Sequence, residues 1–140
     1  MSKHDILETA LPPLLDAFYA RVREDDLIGP VFNEAVHDWP EHLARIADFW
    51  SSVMLSTGRY KGNPVAKHML HAKRLTPAMF ERWLRIWAST TSEMLPEALA
   101  EALQARAARI AESLQLAMLH ASPLQKAMME RAAAERGSEG

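Results

Sequence analysis

The chain has 140 residues, of which 49% are hydrophobic and 24% charged, with a formal net charge of −2 at pH 7 and no cysteine. That length suits one domain with one proper core, and the near-balanced charge gives no electrostatic reason to expect nucleic acid or an anionic membrane as partner. Without cysteine, disulfides, thiolate metal ligation, zinc ribbons and cysteine nucleophiles are excluded.

No apolar run approaches the ~18 residues of a membrane helix. The N-terminal Met1-Ser2-Lys3-His4-Asp5 is polar and does not read as a secretory signal, so the expected location is cytoplasmic. Only 5 glycines are present. No Asn-Gly or Asp-Gly turn and no strict apolar/polar alternation occurs, so strands have little support, and the expected class is all-α.

In chain order, a helix is predicted to begin around Pro12-Pro13, with Leu14, Phe18 and Val22 on one stripe and Leu11, Leu15 and Tyr19 on the next. It ends at Arg23-Glu24-Asp25-Asp26. A hinge follows, in which Gly29-Pro30 breaks regular helix and presents Phe32 from a turn. Asp38-Trp39-Pro40-Glu41 reads as a helix start, with Asp38 as cap, Pro40 in the first turn and Glu41 closing a box-like pair. The helix beyond it puts His42, Arg45, Ile46, Phe49 and Trp50 on one face and stops near Leu55.

The stretch 58–75 is the least regular, with a turn of helix expected around 65–71. Thr76 as cap and Pro77 as first residue open the next helix, whose period is held by Met79, Phe80, Trp83, Leu84, Trp87 and Met94. A long last helix starts at Pro96, with Leu99, Leu103, Ile110, Leu114 and Met118 inward. Ser122-Pro123 interrupts it, and the alanine-rich stretch 124–140 reads as a frayed helix. A single domain over 1–140 is expected, with its core at about 10–119 and a tail at 122–140.

Six histidines invite a metal reading. His4 and His120 lie near the ends and His37 precedes a cap, so all three read as solvated. His42 stands on an otherwise apolar, aromatic face, whereas His68 and His71 lie in the irregular segment between two amphipathic helices. A closed zinc site wants four close ligands, and no His-Glu-x-x-His pattern occurs. A planar iron cofactor needs less: one imidazole, an apolar slot and a cation for its carboxylates. Flat aromatic surface is plentiful. Phe49 and Trp87 read as plain core, but Tyr19 and Trp83 carry polar groups that cost free energy when buried without partners. Two such groups facing one interior point to a polar pocket.

The order Phe18-Tyr19-x-x-Val22-Arg23, Gly29-Pro30-Val31-Phe32-Asn33, Trp39-x-Glu41-His42 and Asp48-Phe49-Trp50 resembles the group III truncated haemoglobins. The likeness continues through Tyr60-Lys61-Gly62-Asn63-Pro64-x-x-x-His68 and Phe80-x-x-Trp83-Leu84, and covers roughly residues 10–119. It implies a two-over-two helical sandwich around haem b, with His68 as the ligand to iron. By the same resemblance Tyr19, His42 and Trp83 face the opposite, distal side, and Phe32 packs on the haem. Arg45 matches a cation that meets a propionate, with Lys67 as the next choice. Ile46, on the His42 face, joins the cofactor-binding set, and His71, three residues after His68, reads as a solvated or propionate-contacting neighbour.

The function so implied is reversible binding of O2, NO, CO or, in the ferric state, cyanide, with NO dioxygenation or peroxidase-like chemistry as enzymatic options. Either would need an electron donor, and no flavin or nicotinamide domain is in evidence. The rival reading is a cofactor-free helical interaction module. That reading explains the periodicity but not Tyr19, His42 and Trp83 facing one core.

Overall fold

The computed structural model describes residues 2–60, 62 and 75–120, and the structural statements below concern these. They form five α-helices: α1 (Lys3–Glu24), α2 (Gly29–Ala35), α3 (Trp39–Leu55), α4 (Pro77–Met94) and α5 (Glu97–His120). No strand occurs among the described residues. The turn of helix expected around 65–71 and the tail 122–140 lie outside them.

α1 starts well before the expected Pro12-Pro13 boundary. Ser2 caps it by accepting from the Asp5 N–H while the Asp5 carboxylate reaches back to the Ser2 backbone, a complete capping box. Pro12 and Pro13 remove the N–H groups that would serve the carbonyls of Glu8 and Thr9. Both prolines are exposed, so water can take up those carbonyls. Leu7 and Leu11 on one side of them, and Leu14, Leu15, Phe18 and Val22 on the other, enter the same core, each at most 2% exposed. At ~1.5–3 kcal/mol for each buried side chain, that continuous stripe outweighs the proline penalty.

The corner after α1 is built on Asp25. Its Oδ2 accepts from the N–H groups of Leu27 and Ile28, at 2.9 and 3.0 Å, and its Oδ1 from Arg82 of α4, at 2.8 Å. Gly29 has no room for a side chain, since a Cβ there would sit 2.7 Å from the Arg23 carbonyl oxygen. Instead of merely breaking helix, Gly29-Pro30 opens α2, because proline in a first turn loses no needed hydrogen bond. Phe32 is therefore carried on a short helix and not on a turn.

Burial pushes the Asp25 carboxyl up, but hydrogen bonds from Ile28, Arg82 and Leu27, together with the Arg82 charge, outweigh it and hold the group below the ordinary aspartate value. A depressed folded value means that the contribution to stability is present above the ordinary carboxylate range and is lost as pH falls through the folded value. Thermal stability is accordingly expected to fall below about pH 4. Asp25→Asn should flatten that acid limb and cost about 1–2 kcal/mol at neutral pH. An acid limb of unchanged slope in the variant would show that the corner does not depend on this charge.

α1 packs on α2, α3 and α4, and α4 packs on α5, so the four long helices form two stacked pairs. Their shared interior is aromatic. Trp87 is wholly buried, donates its indole N–H to the Leu103 carbonyl at 3.2 Å, and lies parallel to Trp50 of α3. Thr76 and Pro77 begin α4 as expected, with Thr76 Oγ1 accepting from Met79 N–H at 3.3 Å. α3 ends at Ser56, which takes the left-handed conformation, with φ of 57°.

Candidate functional site

The centre of the site is the Tyr19 phenol, delivered by the buried stripe of α1 and itself only 5% exposed. Four rings enclose it. Phe18 lies 4.8 Å away between centroids, Trp39 and His42 each 5.7 Å, and Phe32 of α2 5.8 Å. Burial pushes the Tyr19 phenol far above its usual value, and a hydrogen bond from the Trp83 side chain of α4 offsets only part of that. Indole can only donate, so it is the Trp83 N–H that faces the phenol oxygen. Tyr19 is thus held neutral, with its own O–H hydrogen left to donate into the pocket.

His42 is placed by the start of α3. Asp38 Oδ1 accepts from the Glu41 N–H at 3.1 Å, and Pro40 occupies the first turn. This fixes the helix one turn before the imidazole, which is half-buried and stands edge-on to Tyr19 and Trp39. Ile46, one turn further, is half-buried and packs against the core beneath. Glu41 directs its carboxylate to Arg45 and does not close the expected box with Asp38.

The structure therefore brings Tyr19, Phe32, His42 and Trp83 into one cluster, with Ile46 on the same helix face as His42. Arg45 is exposed and paired with Glu41, and its positive charge also reaches the Tyr60 hydroxyl. Lys67, His68 and His71 lie outside the described residues. Trp39 is the member that sequence reasoning passed over. The sequence reads it as part of a helix start and of the family motif and gives it no role in the pocket, although its spacing to His42 and Ile46, i, i+3 and i+7, puts it on their face. Its outer side is covered by the Arg23 guanidinium, 4.6 Å from the ring centroid. A shallow cleft of about 240 Å³ beside Val53, Met54, Arg106 and Arg109 shares no residue with this cluster.

Among the described residues no three His, Asp or Glu side chains converge as a metal cage, and none of the helices found among them is long and apolar enough to cross a membrane. The site has a different character: one buried phenol and one indole donor, an imidazole at their edge, and flat aromatic walls. That set suits a planar apolar group with a small polar ligand on one face, which is the requirement of a haem pocket.

Two stacked helix pairs with such a pocket define a globin of the short, two-over-two kind. No family model matches the chain. A curated protein of Campylobacter jejuni, group 3 truncated hemoglobin ctb, is 32% identical over 119 residues, covering 82% of this chain and 93% of that protein. The crystal structure of group III truncated hemoglobin from Campylobacter jejuni superposes with a TM-score of 0.70 at 32% identity, covering 79% of this chain and 90% of that one. The chain belongs to the group III truncated haemoglobins, a family whose cofactor is haem.

Proposed function

We propose that this chain binds one haem b, with His68 as the iron ligand, and offers the opposite face to O2, NO, CO or, when ferric, cyanide. The observation that carries the reading is the buried Tyr19 phenol, fixed by the Trp83 indole and flanked by His42 within aromatic walls. Held by the His68 imidazole, haem would supply an iron able to bind a diatomic ligand. The chain's own residues do the rest. Phe32 and Ile46 give apolar contact, while Arg45, Lys67 and His71 are the polar residues for the carboxylate edge.

The Tyr19 O–H stabilises a ligand that carries partial negative charge, and Trp83 holds the phenol with that hydrogen directed away from itself. The polar pocket suits ligand retention, and equally NO dioxygenation or peroxidase-like chemistry fed by a separate electron donor. A cytoplasmic location follows from the same reading. Expression with haem supplementation should yield a protein with a Soret band. Its absence after reconstitution of the folded protein would favour a cofactor-free helical interaction module.

His42 acts in this reading as a gate between the pocket and solvent, and not as a second iron ligand. Direct coordination needs its nitrogen at ~2 Å from the metal. That would draw the start of α3 inward and close the space beside Tyr19, where Trp39 and the imidazole already pack edge to face. The ferric protein is therefore expected to be high-spin near neutral pH. A low-spin spectrum that turns high-spin in His42→Ala would make His42 a ligand.

A further inference from the structure

We propose that the stacked indoles of Trp83, Trp87 and Trp50 conduct electrons from the partly buried Tyr60 to the Tyr19 pocket, so that a hydroperoxide can be reduced there without lasting oxidation of the pocket. The proposal rests on the haem reading given above. Trp83 and Trp87 are 6.2 Å apart between centroids and within 3° of parallel, and Trp87 and Trp50 are 4.8 Å apart at 16°. Every other ring pair among the described residues meets edge-on or tilted. The three indoles thus lie near parallel, two on α4, where Trp83 stands beside Tyr19, and one on α3. Phe49 continues the array, 5.7 Å from Trp50 and 5.3 Å from Tyr60.

The surroundings of each ring set the direction. An indole can give up an electron and remain for a time as a protonated cation, whereas a phenol must shed its proton as it is oxidised. Trp87 is wholly buried and its N–H is bonded to a carbonyl, which is no base, so charge arriving there keeps its proton and passes on. Tyr19 is sealed from water and holds its proton, which opposes its oxidation and makes Trp83 the point of entry. Tyr60 is only partly buried; burial pushes its phenol up and the nearby Arg45 charge offsets part of that, so its proton lies nearer to water than the sealed Tyr19 proton.

Cleaving the O–O bond of a hydroperoxide to give an alcohol and water takes two electrons and two protons. Each electron leaves Trp83 for the pocket. Trp87 then refills Trp83, Trp50 refills Trp87, and Tyr60 refills Trp50 across Phe49, releasing its phenolic proton to water. A one-electron donor of the ascorbate type returns the tyrosyl radical to phenol by supplying one electron and one proton. Two such turns balance one hydroperoxide.

The chain has only two tyrosines, Tyr19 and Tyr60, so the terminus of the array can be assigned by single substitutions. The haem-reconstituted full chain is treated with hydrogen peroxide and a nitroso spin trap, then followed by electron paramagnetic resonance and peptide mass mapping. The adduct is expected on Tyr60. Tyr60→Phe should remove the tyrosyl signal, and Trp87→Phe should remove the Tyr60 adduct while leaving oxidation at Trp83. An adduct on Tyr19, a Tyr60 adduct that survives Trp87→Phe, or no trapped radical would overturn the proposal.

Tyr60→Phe lies outside the packed core, so the test does not depend on Trp87→Phe folding. A second measurement separates the array from the haem reading: a UV flash on the iron-free protein photoionises the indoles directly. The tyrosyl transient should form, and be lost in Tyr60→Phe. If that transient forms in a protein that takes up no haem, the array stands and the haem reading falls. A Soret band without any Tyr60 radical in either measurement would mean the reverse.

Discussion

His68→Ala is expected to give a folded protein that loses its haem on desalting, whereas His71→Ala should keep a full Soret band. The two histidines are three residues apart in the segment that follows Tyr60-Lys61-Gly62-Asn63-Pro64, and the family pattern counts to the first. In the proposed haem complex an imidazole bond to iron would be a strong, directional attachment of the cofactor. Without it, haem would be held by apolar contact and by charge at its edge. Arg45 is exposed, and its present partner Glu41 is exposed too. A propionate pair made at such a surface is worth only ~0.2–1 kcal/mol. Arg45→Ala or Lys67→Ala should therefore weaken retention modestly, by no more than about fivefold at that energy. Loss of haem in His71→Ala with retention in His68→Ala would reverse the assignment. Recovery of the Soret band in His68→Ala on adding free imidazole would show that the pocket had survived the substitution.

The helices were legible because their apolar stripes are long. Leu11, Leu15 and Tyr19 with Leu14, Phe18 and Val22 are all buried, as their 3.6-residue period requires. The caps at Asp38 and Thr76 were equally plain, since a short acceptor ahead of a proline has few other uses. Errors fell where proline and glycine were read by local rule. Pro12-Pro13 was taken as a start because the rule weighs the two missing hydrogen bonds and not Leu7 and Leu11, whose burial carries the helix through. Gly29-Pro30 was taken as a break because sequence does not show the Arg23 carbonyl crowding that position.

In the site, Tyr19 and Trp83 were legible as buried polar groups needing an explanation, but the bond between them was not. They are 64 positions apart in sequence, and only the packing of α1 on α4 joins them. Trp39 was hidden by its place at a helix start, where the eye goes to the cap. The parallel indoles could not have been foreseen either, since spacing fixes the face on which a ring lies and not the tilt of its plane.

Tyr19→Phe is expected to raise the O2 dissociation rate about tenfold, since one hydrogen bond to a ligand in a dry pocket contributes ~0.5–1.5 kcal/mol or somewhat more. The substitution removes a hydroxyl and leaves the ring contacts with Phe18, Phe32 and Trp39 in place. Were Tyr19 and Trp83 both to donate to the ligand, side by side, their effects would add. The observed arrangement predicts something else. With the Trp83 N–H facing the phenol oxygen, Trp83 is expected to act through Tyr19 by biasing where its hydrogen points. Trp83→Phe alone should then raise the rate by less than Tyr19→Phe, because a loosened phenol still donates part of the time. The double variant should release O2 no faster than Tyr19→Phe, a coupling that a double-mutant cycle reads directly. Stopped-flow displacement of O2 by CO in the four proteins supplies the rates. Additive effects would show that the indole turns to the ligand once one is bound. Unchanged rates in both single variants would remove Tyr19 and Trp83 from ligand stabilisation altogether.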